Sequence, residues 1–166
     1  MNYPFRRFII SYGGTVRPQH TFYEPVCKAI MELELQDVAE LRFIGIAKPE
    51  FLQWIQDNYF EIMMYHVAYM PYHRVVKFMS NSNMFLLATG SHSYANASAT
   101  GKIWTYFESN SAPILHIAKE VKEDNHIKGI LKQADRGMSF EEKDYEGIRD
   151  FIKSVSEEWL YLFGEE

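Results

Sequence analysis

The apolar residues of this chain come as short continuous runs separated by helical stripes, and that alternation leaves few folds open. Phe8-Ile9-Ile10-Ser11-Tyr12 reads as a buried strand ending at Gly13-Gly14. Phe22, Val26, Ile30 and Leu33 follow at helical spacing. Leu41 to Ile46 reads as a second strand, and Pro49 suits the first turn of a short helix with Phe51, Leu52 and Ile55. Ile62 to Tyr69 is a third strand, closed by Met70-Pro71, and residues 72–80 form a helix with Val75, Val76 and Met79 inward. Asn83 to Ala88 is the fourth strand, followed by the small, polar loop Thr89 to Ala99. A helix from Gly101 to about Ser109 turns Ile103, Tyr106 and Phe107 to one side. Pro113 to Ile117, a helix over 123–134, a short strand near 137–140 and a helix over 141–162 complete the series.

Six strand-then-helix units predict an α/β protein: a Rossmann-like three-layer αβα fold on a six-stranded parallel sheet in the order 3-2-1-4-5-6. The runs are continuous rather than alternating, as strands covered on both faces require. The 166 residues suffice for one domain with a good core. No repeat, linker or low-complexity segment divides them.

Charge and cysteine content narrow the function classes. The net charge is −5, and residues 120–166 carry 13 acids against 7 bases, which reads as the solvated faces of two helices. No basic stripe points to nucleic acid as a partner. The single cysteine, Cys27, lies in a helical stripe and reads as a small buried apolar residue; a reducing, cytoplasmic setting follows. No apolar stretch is long enough to span a membrane, and the N-terminus lacks the shape of a signal peptide. The aromatic stretch Trp159 to Phe163 is expected to pack on its own domain, with any rings left exposed favouring self-association.

In a doubly wound sheet a ligand lies at the carboxyl ends of the strands, where strand order reverses. In the expected order that crevice lies between the first and fourth strands. The loops Gly13-Gly14-Thr15 and Thr89-Gly90-Ser91-His92 meet there, and so does the start of the Gly101 helix. Gly101-Lys102 at a helix N-terminus offers backbone N–H groups, the positive end of the helix dipole and a mobile ammonium, a combination that holds phosphate. Arg17 can reach a diphosphate from the first loop, and His92 is a candidate ligand contact. Each residue also has a plain reading, as a tight turn or a solvated side chain, and it is their convergence that argues for a site.

Competing motifs are absent. The position six before Lys102 is Asn96, so there is no Walker-type phosphate loop, and no GxGxxG follows the first strand. HExxH, paired CxxC, EF-hand and GxSxG patterns are missing, and no acidic cluster ends the first strand. Metal ligands and a resident cofactor are therefore not expected. Of the six histidines, His66 and His116 fall within strands and are expected to be buried and hydrogen-bonded.

The ordered set of segments resembles the C-terminal, donor-binding domain of GT-B fold glycosyltransferases of the family-4 (group 1) kind, over roughly residues 5–160. The segments are Ile9 to Thr15, Leu41 to Gly45, Val67 to Tyr72, and Gly101 to Phe107 followed by Ala112-Pro113-Ile114-Leu115. The resemblance implies a nucleoside-diphosphate sugar as substrate. It implies diphosphate contacts at Gly13, Gly14, Thr15 and Lys102, to which the reading of the residues adds Arg17 and Gly101. It places the base against the backbone around Tyr69 and Met70 and the ribose at the Thr105 position, while the crevice loop adds Ser91 and His92 as ribose, base or sugar contacts. It also implies a second, N-terminal acceptor domain, absent from these residues, which would supply the catalytic base and any peripheral membrane contact. Two positions depart from the pattern: Thr105 stands where the family commonly has a ribose-holding glutamate, and Thr100 where a proline precedes Gly-Lys. Glu108, one turn on, is a candidate substitute.

The first expectation is thus the donor-binding domain of a glycosyltransferase in polysaccharide or glycoconjugate biosynthesis, inactive alone. The alternative is a non-catalytic α/β binding module of the same descent. A small nucleotide-dependent enzyme of another doubly wound family is disfavoured by the missing glycines.

Overall fold

The computed structural model describes residues 6–16, 20–90 and 101–163. The apolar runs are strands β1 (Phe8–Gly13), β2 (Ala39–Ile44), β3 (Met63–Val67), β4 (Met84–Thr89), β5 (Ile114–Ala118) and β6 (Gly137–Glu141). Between and after them lie α1 (His20–Glu32), α2 (Pro49–Asn58), α3 (Tyr72–Met79), α4 (Gly101–Ser109), α5 (His126–Ala134) and α6 (Tyr145–Phe163). Every strand pair is parallel, and the order is β3-β2-β1-β4-β5-β6. The three-layer Rossmann-like fold expected from the alternation is the one observed.

Two apolar clusters flank the sheet. Alternate residues of β1, including Phe8, Ile10 and Tyr12, meet α1, α2 and α6 through Val26, Ile30, Phe51, Ile152 and others. Phe85 and Leu87 of β4 meet α3, α4 and α5 through Met79, Ile103, Tyr106 and Leu131. The central strands β1 and β2 are buried along their whole length, whereas β3 and β6 at the edges are partly exposed. Cys27 is fully buried, and burial pushes its thiol up to about 12, so it packs as an apolar residue.

Several boundaries differ from the sequence reading for local reasons. β2 begins at Ala39 and stops at Ile44, because Gly45 takes a left-handed φ of +129°. Helix α5 begins at His126 rather than 123, since Asn125 caps it by accepting the Lys128 N–H at 2.9 Å. Helix α6 begins at Tyr145 rather than 141: β6 runs to Glu141, and the Asp144 carboxylate accepts the Gly147 N–H at 3.0 Å. Of the C-terminal aromatics only Trp159 is buried, 5.8 Å from the Phe8 ring, while Tyr161 and Leu162 stand in solvent.

The pair β1–β4 is special. It is registered only through Ile10–Met84 and Ser11–Phe85, although β1 continues to Gly13 and β4 to Thr89. The two strands therefore part toward their carboxyl ends, at the point where strand order reverses.

Candidate functional site

Tyr106 of α4 fills that parting. Its ring stacks on Phe85 with centroids 4.6 Å apart. Its hydroxyl donates to the Leu86 carbonyl at 2.8 Å and accepts the Gly13 N–H at 3.1 Å. A side-chain oxygen thus stands between a donor of β1 and an acceptor of β4, where a ladder bond would otherwise close the sheet. The ring is wholly buried, and burial raises the phenol so that it stays neutral.

Beside it, the first loop folds tightly. Gly14 has φ +107°, and a Cβ there would come 2.6 Å from Lys102 Cε. The Lys102 side chain therefore lies directly over Gly14, with Nζ 5.3 Å from the centroid of the Tyr12 ring. Gly45 is pressed on Gly14 from the other side: a Cβ on Gly45 would approach the Gly14 carbonyl oxygen to 2.5 Å. The two loops continue together, with the Val16 N–H donating to the Ile46 carbonyl at 2.8 Å.

These groups open on a cavity of about 290 Å³ at the carboxyl ends of the strands. Six residues named from the sequence line it: Gly13, Gly14, Tyr69, Met70, Lys102 and Thr105. Gly101 is exposed at the start of α4, and Thr15 is exposed with its carbonyl accepting the Tyr12 hydroxyl at 3.0 Å; neither forms the cavity wall. Arg17, Ser91 and His92 lie outside the described residues. Gly45, Tyr72 and Tyr106 line the cavity without having been singled out as site residues. For Gly45 a signal existed, an isolated glycine within an apolar run. For Tyr106 only an inward position was legible, not the destination of its hydroxyl.

The glycine loop does not offer its own amides. The Gly13 N–H is held by Tyr106, and the Gly14 N–H donates to the Ile44 carbonyl at 2.7 Å. Gly13 and Gly14 supply room for close approach rather than donors. The N–H groups in the first turn of α4 have no carbonyl of their own helix to bind, and Lys102 stands among them.

The Thr105 hydroxyl turns back on α4 and donates to the Gly101 carbonyl at 3.4 Å. Glu108 accepts the Tyr72 hydroxyl at 2.5 Å across the mouth, which raises the Tyr72 phenol, and it is not part of the cavity lining. Among the described residues the lining holds one cation, Lys102, and no carboxylate or histidine. The two strand histidines differ. His116 is fully buried between Thr89 and Ser139, at 2.8 and 2.7 Å; His66 is only partly buried and bonds the Gly45 carbonyl at 2.8 Å.

No protein-family model and no curated protein matches the sequence. Solved structures do match in fold. WaaG, a glycosyltransferase involved in lipopolysaccharide biosynthesis, superposes with a TM-score of 0.67 at 12% identity, over 92% of this chain and 38% of its own. The C-terminal domain of a glycosyl transferase group 1 family protein, LpcC from Francisella tularensis, gives 0.63 at 12% identity, over 92% of this chain and 76% of that domain. Anabaena HepE, in complex with UDP and glucose, gives 0.51 at 9% identity, over 95% of this chain and 45% of its own. The chain thus has the fold of a group 1 glycosyltransferase C-terminal domain, and it spans well under half of WaaG. Among the described residues no helix is long and apolar enough to cross a membrane.

Proposed function

We propose that the cavity holds the diphosphate of a nucleoside-diphosphate sugar, and that the chain is the donor-binding domain of a glycosyltransferase in polysaccharide or glycoconjugate assembly. The observation that carries this reading is the Lys102 ammonium arm laid over Gly14 at the start of α4, on a cavity at the parting of β1 and β4. Transfer develops negative charge on the leaving diphosphate. An ammonium and oriented first-turn amides, already in place, offset it without reorganising. Thr15, exposed after β1, and, from their places after β1 and β4, Arg17, Ser91 and His92 complete the proposed contacts, with Gly101 as first residue of the helix. The base would lie toward Tyr69 and Met70.

The fold shared with WaaG and with HepE in its UDP and glucose complex supports the reading. So does the location at the strand-order switch point. No carboxylate lines the cavity among the described residues, so we assign the general base to a partner acceptor domain. A cytoplasmic site of action fits a chain whose one cysteine is buried and unpaired.

One observation favours the alternative, a binding module that has lost donor affinity: Thr105 brings a hydroxyl rather than a carboxylate to the cavity wall, and that hydroxyl already donates to the Gly101 carbonyl of its own helix. Thr105→Glu separates the two. Titrated with UDP, GDP, TDP and ADP, the variant should bind one of them more tightly than the parent chain. No binding of any diphosphate by either protein would reject a donor site in this domain.

A further inference from the structure

A second cavity, of about 560 Å³, lies at the amino ends of β1 and β2, the opposite end of the sheet from the first. Arg6 and Arg7 reach it from just before β1, Asn81 and Asn83 from the turn before β4, and Trp159 and Phe163 from α6. Arg42 is spent within the fold: its Nε and Nη2 both go to Glu40 Oε1, at 2.8 and 2.6 Å, and its Nη1 goes to Asn81 Oδ1 at 3.0 Å. Asn83 Oδ1 accepts the Ile9 N–H at 2.8 Å. Both amide oxygens are therefore occupied, and the free ends of both side chains are NH2 donors.

Arg6 and Arg7 add donors of full charge. Arg7 uses one N–H, to the Asp37 carbonyl at 3.2 Å, and Arg6 rests on the Phe163 ring at 4.7 Å. Neither meets a carboxylate among the described residues. In a chain of net charge −5, two adjacent arginines without an acidic partner among the described residues do not reflect a general excess of base. Among the described residues the lining holds one carboxylate, Glu40, whose charge Arg42 offsets through Oε1. The rest of the wall is apolar, with Ile9 and Trp159 almost fully buried.

A wall of free donors beside an aromatic floor selects an acceptor-rich anion carried on an apolar body. We propose that this cavity is a binding site for such an oxyanion, a phosphate monoester or carboxylate attached to an aromatic or apolar group. It is separate from the Lys102 cavity and independent of the donor reading.

Phenyl phosphate, benzoate and inorganic phosphate are suitable probes, with the indole N–H signal of Trp159 as the readout. Phenyl phosphate or benzoate should shift that signal saturably and more tightly than inorganic phosphate does. The Arg6→Ala/Arg7→Ala double variant should bind about tenfold more weakly or worse, as loss of charge-assisted bonds implies. Lys102→Ala should bind as the parent does. The Trp54 and Trp104 signals, away from the cavity, show in each variant that the fold is kept. Absence of a saturable Trp159 shift, or an affinity unchanged in the arginine double variant, would overturn the proposal.

Discussion

The Tyr106 hydroxyl stands where a ladder bond between β1 and β4 would be, so one oxygen holds the crevice open and satisfies both strands. Tyr106→Phe keeps the ring stack on Phe85 and strips that oxygen away. A buried N–H and a buried carbonyl then lose their partner, which should cost about 1–3 kcal/mol in urea unfolding. A loss below a few tenths would show that the strands close directly on each other. His116 gives a second residue-scale prediction. Burial lowers its imidazole from 6.5 to about 4. Between those values the unfolded chain takes up a proton that the native state refuses. The stability is thus complete above the unfolded value and drains away as pH falls toward the native one. From about pH 7 to about pH 5 the parent should lose about 2 kcal/mol more than His116→Gln. Equal slopes for the two proteins would contradict this. The sequence showed that His116 lies in a strand and is buried; its bonds to Thr89 and Ser139 depend on strand register, which no local pattern encodes.

At the scale of elements, runs and stripes were legible because each strand is short and apolar and each helix buries one face. Ends were harder to read. Residues 123–125 continue a polar pattern that periodicity cannot divide, and the Asn125 side chain decides where α5 starts. Asn125→Ala should cost about 1 kcal/mol in thermal or urea unfolding, the usual loss of an N-cap. A neutral substitution would mean that tertiary packing alone sets that boundary. β2 shows the converse difficulty. Its run looks continuous to Ile46, but the chain must turn at Gly45 to pass Gly14 at backbone distance. The polar pair Glu40–Arg42 inside β2 was also hidden, because its partner Asn81 comes from a distant turn.

For the whole molecule, the fold followed from alternation alone, since βα units in series admit few topologies and the strand order places the crevice without further information. What alternation could not supply is the way the glycine loop works. Its amides are bound to Ile44 and Tyr106, so its role is to let Lys102 approach, a matter of contacts made only once β1, β2 and α4 are assembled. The cavity lacks a carboxylate or histidine among its described residues, and the chain covers 38% of the WaaG chain. Incubated with nucleotide sugars, the chain on its own should therefore bind donor without forming a transfer product. Turnover by the chain alone would show that the general base lies within it. The most direct test of the account is calorimetric titration of the parent chain and Lys102→Ala with UDP, GDP, TDP and ADP. The account predicts that one diphosphate binds the parent and that Lys102→Ala weakens it about tenfold or more, as removal of a charged hydrogen-bond donor implies. Binding that is indifferent to Lys102 would contradict it.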